Sequence, residues 1–457
     1  MFKNRLALAL TAGVVGLVTF NEVQLAQSAD PLARDPGVRQ GTPGAGAPLN
    51  LLTVRELEYF KASKEDFEQE EEVKDGLGPT MNLDSCGGCH SQPSMGGTSP
   101  AINPQVAFAN KLGARNRIPS FIRRDGPVRE ARFVRNRDGS ADGGVHSLFT
   151  IAGRSDAPGC NVAQPDFEGE LSRRNVIFRI PTPVFGAGLI EQIPDKAILA
   201  NQAATAVQRS AFGIRGRANV VVPFQTVSGQ TNSNGNDGTI ARFGWKAQNK
   251  SLLMFSGEAY NVEMGISNEL FPTEREENAA CQFATNPNDS IDTVEMDSVT
   301  AMPGAQKFAF FMRLLAPPVP SSVAPGGATS IQRGRQRFAE TGCALCHTPS
   351  MRTGNATTVA LRNQQVDLYS DLLVHDMGVA LADGVSQGQA GPREFRTAPL
   401  WGLGQRLFFL HDGRSNDLVS AIRQHASQGS EANLVIGNYE RLREDQKQDL
   451  LNFLRSL

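Results

Sequence analysis

Cysteine and histidine are scarce in this chain, with six of each among 457 residues. That excludes a disulfide-dense scaffold and makes the place of every one informative. Net charge is also nearly absent, since 45 Lys+Arg against 47 Asp+Glu leave −2. A nucleic-acid binder usually carries a basic domain or stripe, and none is present. After the first twenty residues no apolar run is long enough to cross a bilayer. What is present is ordinary globular material, 40% apolar and 20% charged. The length suits roughly two to four domains. With 45 glycines and 26 prolines, long uninterrupted helices cannot dominate.

Lys3 and Arg5, the apolar run Leu6–Phe20 and small residues ending at Ala29 read as a secretory signal peptide over residues 1–29. The run is about 15 residues, short of the roughly 20 a span needs; an uncleaved anchor is the competing reading. An exported, periplasmic protein with no membrane span after cleavage is expected, in a compartment where thiols oxidise.

Two motifs decide the class. Cys86-Gly87-Gly88-Cys89-His90 and Cys343-Ala344-Leu345-Cys346-His347 are both C-x-x-C-H, the attachment signature of c-type haem. Two thiols one helical turn apart add across the vinyl groups of one porphyrin, and the adjacent histidine faces the iron. From this composition the chance number of such matches is on the order of 0.001. Zinc is the first rival, but no further histidine follows either motif at finger-like spacing. A redox dithiol would sit in a βαβ pattern, which is missing. Two covalently bound haems c are therefore expected, on Cys86, Cys89, Cys343 and Cys346, with His90 and His347 as iron ligands. Cys160 and Cys281 are left over, as one disulfide or as two buried thiols.

The organisation follows from these anchors. An extended Gly/Pro-rich lead-in (30–50) precedes a charged amphipathic helix in LTVRELEYFKASKEDFEQEEEV. Residues 51–313 read as an N-terminal haem module, rich in loops and short strands between about 100 and 300. LLAPPVPSSVAPGGATS (314–330) reads as a linker. Residues 331–457 read as a C-terminal cytochrome c domain, with an entry helix before Cys343 and a closing helix in EDQKQDLLNFLRSL. The fold class expected is mainly α, with two cytochrome c-like haem domains, the first carrying long insertions.

The second face of each iron separates a carrier from a catalyst, because electron-transfer haems usually hold two strong ligands and catalytic haems leave one position open. In SNDLVSAIRQHAS, Leu418, Ile422 and His425 share a helical face, which makes His425 the candidate sixth ligand of the second iron. His375, beside Met377 in LLVHDMG, and His411, in FFLHDGR, are candidates for a ligand, a propionate contact or an ordinary turn. His146 is the only spare histidine of the first half; without it, that iron has no second imidazole from its own half.

GLGPTMNLDSCGGCH, IPTPVFGAGLIEQIPD, YSDLLVHDMGVALADG, REFRTAPLWGLG and FLHDGR resemble the bacterial di-haem oxidoreductases. These are relatives of dihaem cytochrome c peroxidase and of the dihaem enzyme that matures methylamine dehydrogenase. The resemblance runs from about residue 50 to 457. It implies a peroxidatic haem in the N-terminal module and an electron-supplying haem in the C-terminal one. In the dihaem peroxidases a methionine fourteen positions after the HDG histidine ligates the electron-transfer haem; here that position is His425, which implies bis-histidine ligation and a lower potential. The resemblance also points to Glu191, with Gln192 beside it, as the group that helps break peroxide, and to Trp245 and Trp401 as residues between the haems or simply packed. Hydrogen peroxide, or another small oxidant, and a small soluble redox protein as electron donor are the implied partners. A plain dihaem electron carrier, with His146, Met95 or Met264 on the first iron, is the main alternative. Oxidation of a protein or organic substrate through a high-valent iron is the other. No spacing matches a loop-type calcium site, so a calcium ion between the modules is only a possibility the family raises.

Overall fold

Where capping signals and apolar spacing coincide, the chain is helical, in a computed structural model that describes residues 32–457. Not described are residues 82, 112, 114, 115, 147–152, 221–225, 228, 229, 232–238, 274–277, 285, 286 and 296; of 145, 146, 226, 227, 230 and 231 only the backbone is. The expected signal peptide (1–29) lies outside the described residues, and the unit Ala33–Leu457 holds both C-x-x-C-H motifs.

Two helix pairs carry the architecture. Val54–Glu68 starts on a capping box, in which Thr53 accepts from the Glu56 amide and Glu56 accepts from the Thr53 amide. It packs on Gly304–Leu314 through Tyr59 on Phe310 (5.1 Å between ring centres) and Phe67 on Phe311 (4.7 Å). Phe67 also presents its edge to the His90 ring at 5.9 Å, so this pair floors the first C-x-x-C-H motif. The second pair is Gly327–Thr341 against Glu444–Ser456. Ser330 and Arg333 both donate to Asp449. Gly334 lets the backbones touch, since a Cβ there would lie 2.0 Å from the Asp449 carbonyl oxygen. Gly334→Ala is therefore expected to destabilise the protein by about 1–3 kcal/mol, the range for overpacking, seen as a lower denaturation midpoint.

The two haem motifs differ locally. Cys86–Cys89 is one α-helical turn, capped by Ser85, whose hydroxyl accepts from the Gly88 amide. The Gly327–Thr341 helix stops at Gly342, in the left-handed region at φ 98°, and Cys343–Leu345 continues as a 3₁₀ turn. The long helix Leu252–Met264, started by Ser251 and stopped by Gly265, packs on Gly304–Leu314 through Tyr260 on Phe308 (4.9 Å between ring centres).

Helix covers only 35% of the chain, so the expected mainly α character holds for the framework rather than for the bulk. The intervening chain forms small antiparallel sheets of strands two to four residues long: Val145–His146, Glu130–Phe133 and Val176–Arg179 in one, Val374–Asp376 with Glu394–Arg396 in another. The glycine and proline content explains this, as it interrupts both periodicities. Leu314 closes one helix and Gly327 opens the next, so the irregular part of the expected linker is confined to 315–326. The lead-in is extended and tied down at both ends: Arg39 donates its amide to the Gly404 carbonyl, Leu49 to Leu314, and Asp35 pairs with Arg455. Cys160 and Cys281 form a disulfide inside the loop-rich insertion. Among the described residues no helix is long and apolar enough to cross a membrane.

Candidate functional site

Each C-x-x-C-H motif opens onto its own cavity. Cys86, Cys89 and His90 line the first; Cys343, Cys346 and His347 line the second.

The histidines share one arrangement. His90 Nδ1 meets the Gly97 carbonyl at 2.9 Å, His347 Nδ1 the Tyr369 carbonyl at 3.0 Å, and His425 Nδ1 the Ala421 carbonyl at 2.8 Å. A carbonyl only accepts, so Nδ1 carries the hydrogen and Nε2 keeps its lone pair for a ligand. Burial pushes His90 and His347 down to about 4 and lowers His425 as well, which keeps the rings neutral. After burial, the strongest influence on His347 is His425, and both line the second cavity. The bond from His425 to Ala421 is the helical i−4 contact, so helix Leu418–Arg423 itself aims the ring.

The other spare histidines are placed differently. His375, 2% exposed, lines the second cavity, but its Nδ1 meets Glu431 at 2.9 Å and its Nε2 meets Asp371 at 3.0 Å. Both nitrogens must donate, so the ring is an imidazolium and has no lone pair for iron; against burial, the Asp371 carboxylate holds its pKa well above the usual value. Its role is to neutralise two buried carboxylates. His375→Gln removes that charge but leaves Asp371 on Arg209 and Glu431 on the Arg215 and Gly216 amides, so it is expected to cost about 1–3 kcal/mol, read from a denaturant titration. His411 stacks on Phe395 at 4.3 Å, and burial pushes it down to about 4. His146 pairs through its backbone with Ala131; its side chain lies outside the described residues. Met377 joins the apolar cluster of Ile180, Trp245 and Phe395. Met264 Sδ sits 3.9 Å from Cys86 Sγ in the first cavity, and Met95 packs over Gly87 without lining it.

The first cavity has a different chemistry. Glu130, from its strand, and Glu258 and Glu263, from helix Leu252–Met264, line it together with Arg129, Arg132 and Arg179. Arg132 Nε donates to Glu130 at 2.8 Å, and Asn249 donates to Glu258. Glu263 faces the cavity. Desolvation, with repulsion from Glu130 and Glu258 against attraction from Arg132, pushes its carboxyl up to about 8. Sequence reasoning passed over this trio. The available signal was that Glu258 and Glu263 are the only charges in the otherwise neutral helix LLMFSGEAYNVEM.

Glu191 and Gln192, expected at the peroxide-breaking position, are instead outside both cavities. Glu191 pairs with Arg313 at 2.7 Å and accepts from the Leu252 amide at 2.8 Å, an orphan N–H of the first turn of the Leu252–Met264 helix. Gln192 closes the short helix Ala187–Glu191. The two tryptophans also part company. Trp245 lines both cavities, its indole N–H held by the Ile180 carbonyl at 2.9 Å. Trp401 lines neither and packs over Gly186, where a Cβ would come within 2.7 Å of its ring.

Two thiols and a neutral imidazole recur in each cavity, and that donor set fits a haem. Among the described residues no three or more His, Cys, Asp or Glu are grouped to hold a bare metal ion.

A family model described as "Di-haem oxidoreductase, putative peroxidase" matches residues 130–457. No curated protein matches the sequence significantly. Among solved structures, the diheme peroxidase BthA of Burkholderia thailandensis is 15% identical with a TM-score of 0.29, over 47% of this chain and 65% of that one. Hydrazine synthase of Kuenenia stuttgartiensis is 15% identical with a TM-score of 0.25, over 44% and 60%. The match thus spans less than two thirds of either chain.

Proposed function

Because this chain belongs to the di-haem oxidoreductase family, we propose that it reduces hydrogen peroxide at the first cavity with electrons relayed through the second. The observation that carries this reading is the unequal supply of imidazole. His347 and His425 share the second cavity, whereas among the described side chains His90 is the only histidine of the first. A saturated iron passes electrons; an iron short of one ligand binds an oxidant.

Bound at each cavity, haem c would supply the electron exchange and, at the first, the peroxide chemistry. Cys86, Cys89, Cys343 and Cys346 would hold these groups, and His90, His347 and His425 would ligate them. Reduction of one peroxide to two waters consumes two electrons and two protons. Glu263, raised to about 8, carries a proton at neutral pH on a carboxyl that faces the reacting space. Arg132 keeps Glu130 in place beside it. Trp245, fixed by Ile180, is the one tryptophan set against both cavities and lies on the electron route. The electrons come from a small soluble redox protein. The reaction takes place outside the cytoplasm, which the Cys160–Cys281 disulfide favours.

Electron paramagnetic resonance of the oxidised mature protein tests this. One high-spin and one low-spin iron, with peroxide consumed by the reduced protein, is the expected result. Two low-spin irons and no turnover would make it an electron carrier.

A further inference from the structure

Buried charge is normally paired, and two arginines of the second cavity break that rule. Arg396 and Arg406 are 9% and 8% exposed, and both line the cavity. Arg396 donates Nε to the Gly244 carbonyl at 3.0 Å and Nη1 to the Thr397 carbonyl at 3.3 Å, both neutral acceptors. Among the described residues the Arg406 guanidinium meets no hydrogen-bond or ion-pair partner at all, leaving five N–H donors unspent. Burial and then Arg406 lower Arg396 to about 10, and burial and then Arg455 lower Arg406 to about 10. Arg455 itself is spoken for by Asp35. The one carboxylate lining this cavity, Glu431, is bound by His375 and by the amides of Arg215 and Gly216.

Two desolvated guanidiniums side by side without an anion are unfavourable, so the cavity is built for an anionic occupant. The rest of its wall is mostly apolar, with Phe338, Leu403, Phe409, Ile422, Val435 and Leu450 among it. An occupant that is apolar over most of its surface and carries carboxylates at one edge meets both requirements. We infer that Arg396 and Arg406 form the carboxylate clamp of the second cavity, binding the propionates of its haem and holding positive charge against it. This rests on the reading that the second cavity receives a haem, and it goes further by assigning how that haem's charged edge is met.

The functional consequence is on potential. Loss of an electron leaves the iron more positive, so fixed positive charge nearby disfavours the oxidised state and raises the midpoint potential. The pair thus offsets part of the lowering that bis-histidine ligation brings.

A spectroelectrochemical titration of the mature protein, following the low-spin haem, decides the matter. Arg406→Gln and Arg396→Gln are each expected to shift its midpoint to lower potential, with the low-spin spectrum and two haems per chain retained. Arg406→Lys, which keeps the charge, is expected to hold the midpoint close to the wild-type value. Should Arg406→Gln fail to fold, Arg396→Gln and Arg406→Lys carry the test. A charge-removing variant with two haems and an unshifted midpoint overturns the inference, as does a lysine variant that falls as far as the glutamine one. A wild-type protein without haem by pyridine haemochrome assay would instead overturn the reading beneath it.

Discussion

Glu263→Gln is expected to slow peroxide reduction by about 10²–10⁴-fold, the usual contribution of a positioned acid or base, while both haems and their spectra stay intact. Glutamine keeps the size and the hydrogen-bonding surface of a neutral carboxylic acid but has no proton to give. The pH profile separates this from a packing defect. With its carboxyl raised to about 8, Glu263 is protonated through the neutral range. Wild-type turnover should therefore fall as pH rises through about 8, and the variant should lose that limb. Stability moves in the same sense: the unfolded chain ionises this group from about 4.5 upward, so its contribution is full below that and is lost as pH rises through the folded value. Steady-state turnover of Glu263→Gln at the wild-type rate, with the alkaline limb still present, would remove Glu263 from the reaction.

What could be read in the chain was what is local in it. C-x-x-C-H places its three donors within five residues, and the caps of Val54–Glu68 and Leu252–Met264 lie within three residues of the groups they satisfy. Glu191 shows where such reading stops. A motif likeness suggested its role, but its partner Arg313 lies 122 positions away in sequence, and only folding shows that the two neutralise each other. The carboxylates that do line the first cavity converge from a strand at Glu130 and a helix ending at Met264. No period or spacing connects them. His375 and His425 look alike as isolated histidines in apolar surroundings. What distinguishes them is whether the acceptor beside each ring is a carboxylate or a carbonyl. Arg396 and Arg406 are plain in the sequence as arginines, yet the missing counter-ion that gives them meaning exists only once everything around them is in place.

For the second cavity, His425 is the residue whose loss should be felt most. Its Nδ1 bond to Ala421 fixes the tautomer and, through helix Leu418–Arg423, the direction of Nε2. His375 cannot stand in for it while bonded at both nitrogens to Asp371 and Glu431, and swinging it out would take a positive charge and a hydrogen bond from each carboxylate. His425→Ala is therefore expected to leave the second iron without its strong sixth ligand, converting the low-spin signal in the oxidised protein to high-spin and opening a second position to peroxide. His425→Met restores a ligand of a different kind. Because a thioether favours the reduced iron, the midpoint potential of that haem should rise above the wild-type value. That direction is opposite to the one expected on removing Arg396 or Arg406, so the three variants together separate ligand field from surrounding charge. If the low-spin signal survives in His425→Ala, the sixth ligand comes from elsewhere, and the asymmetry between the two cavities does not rest on His425.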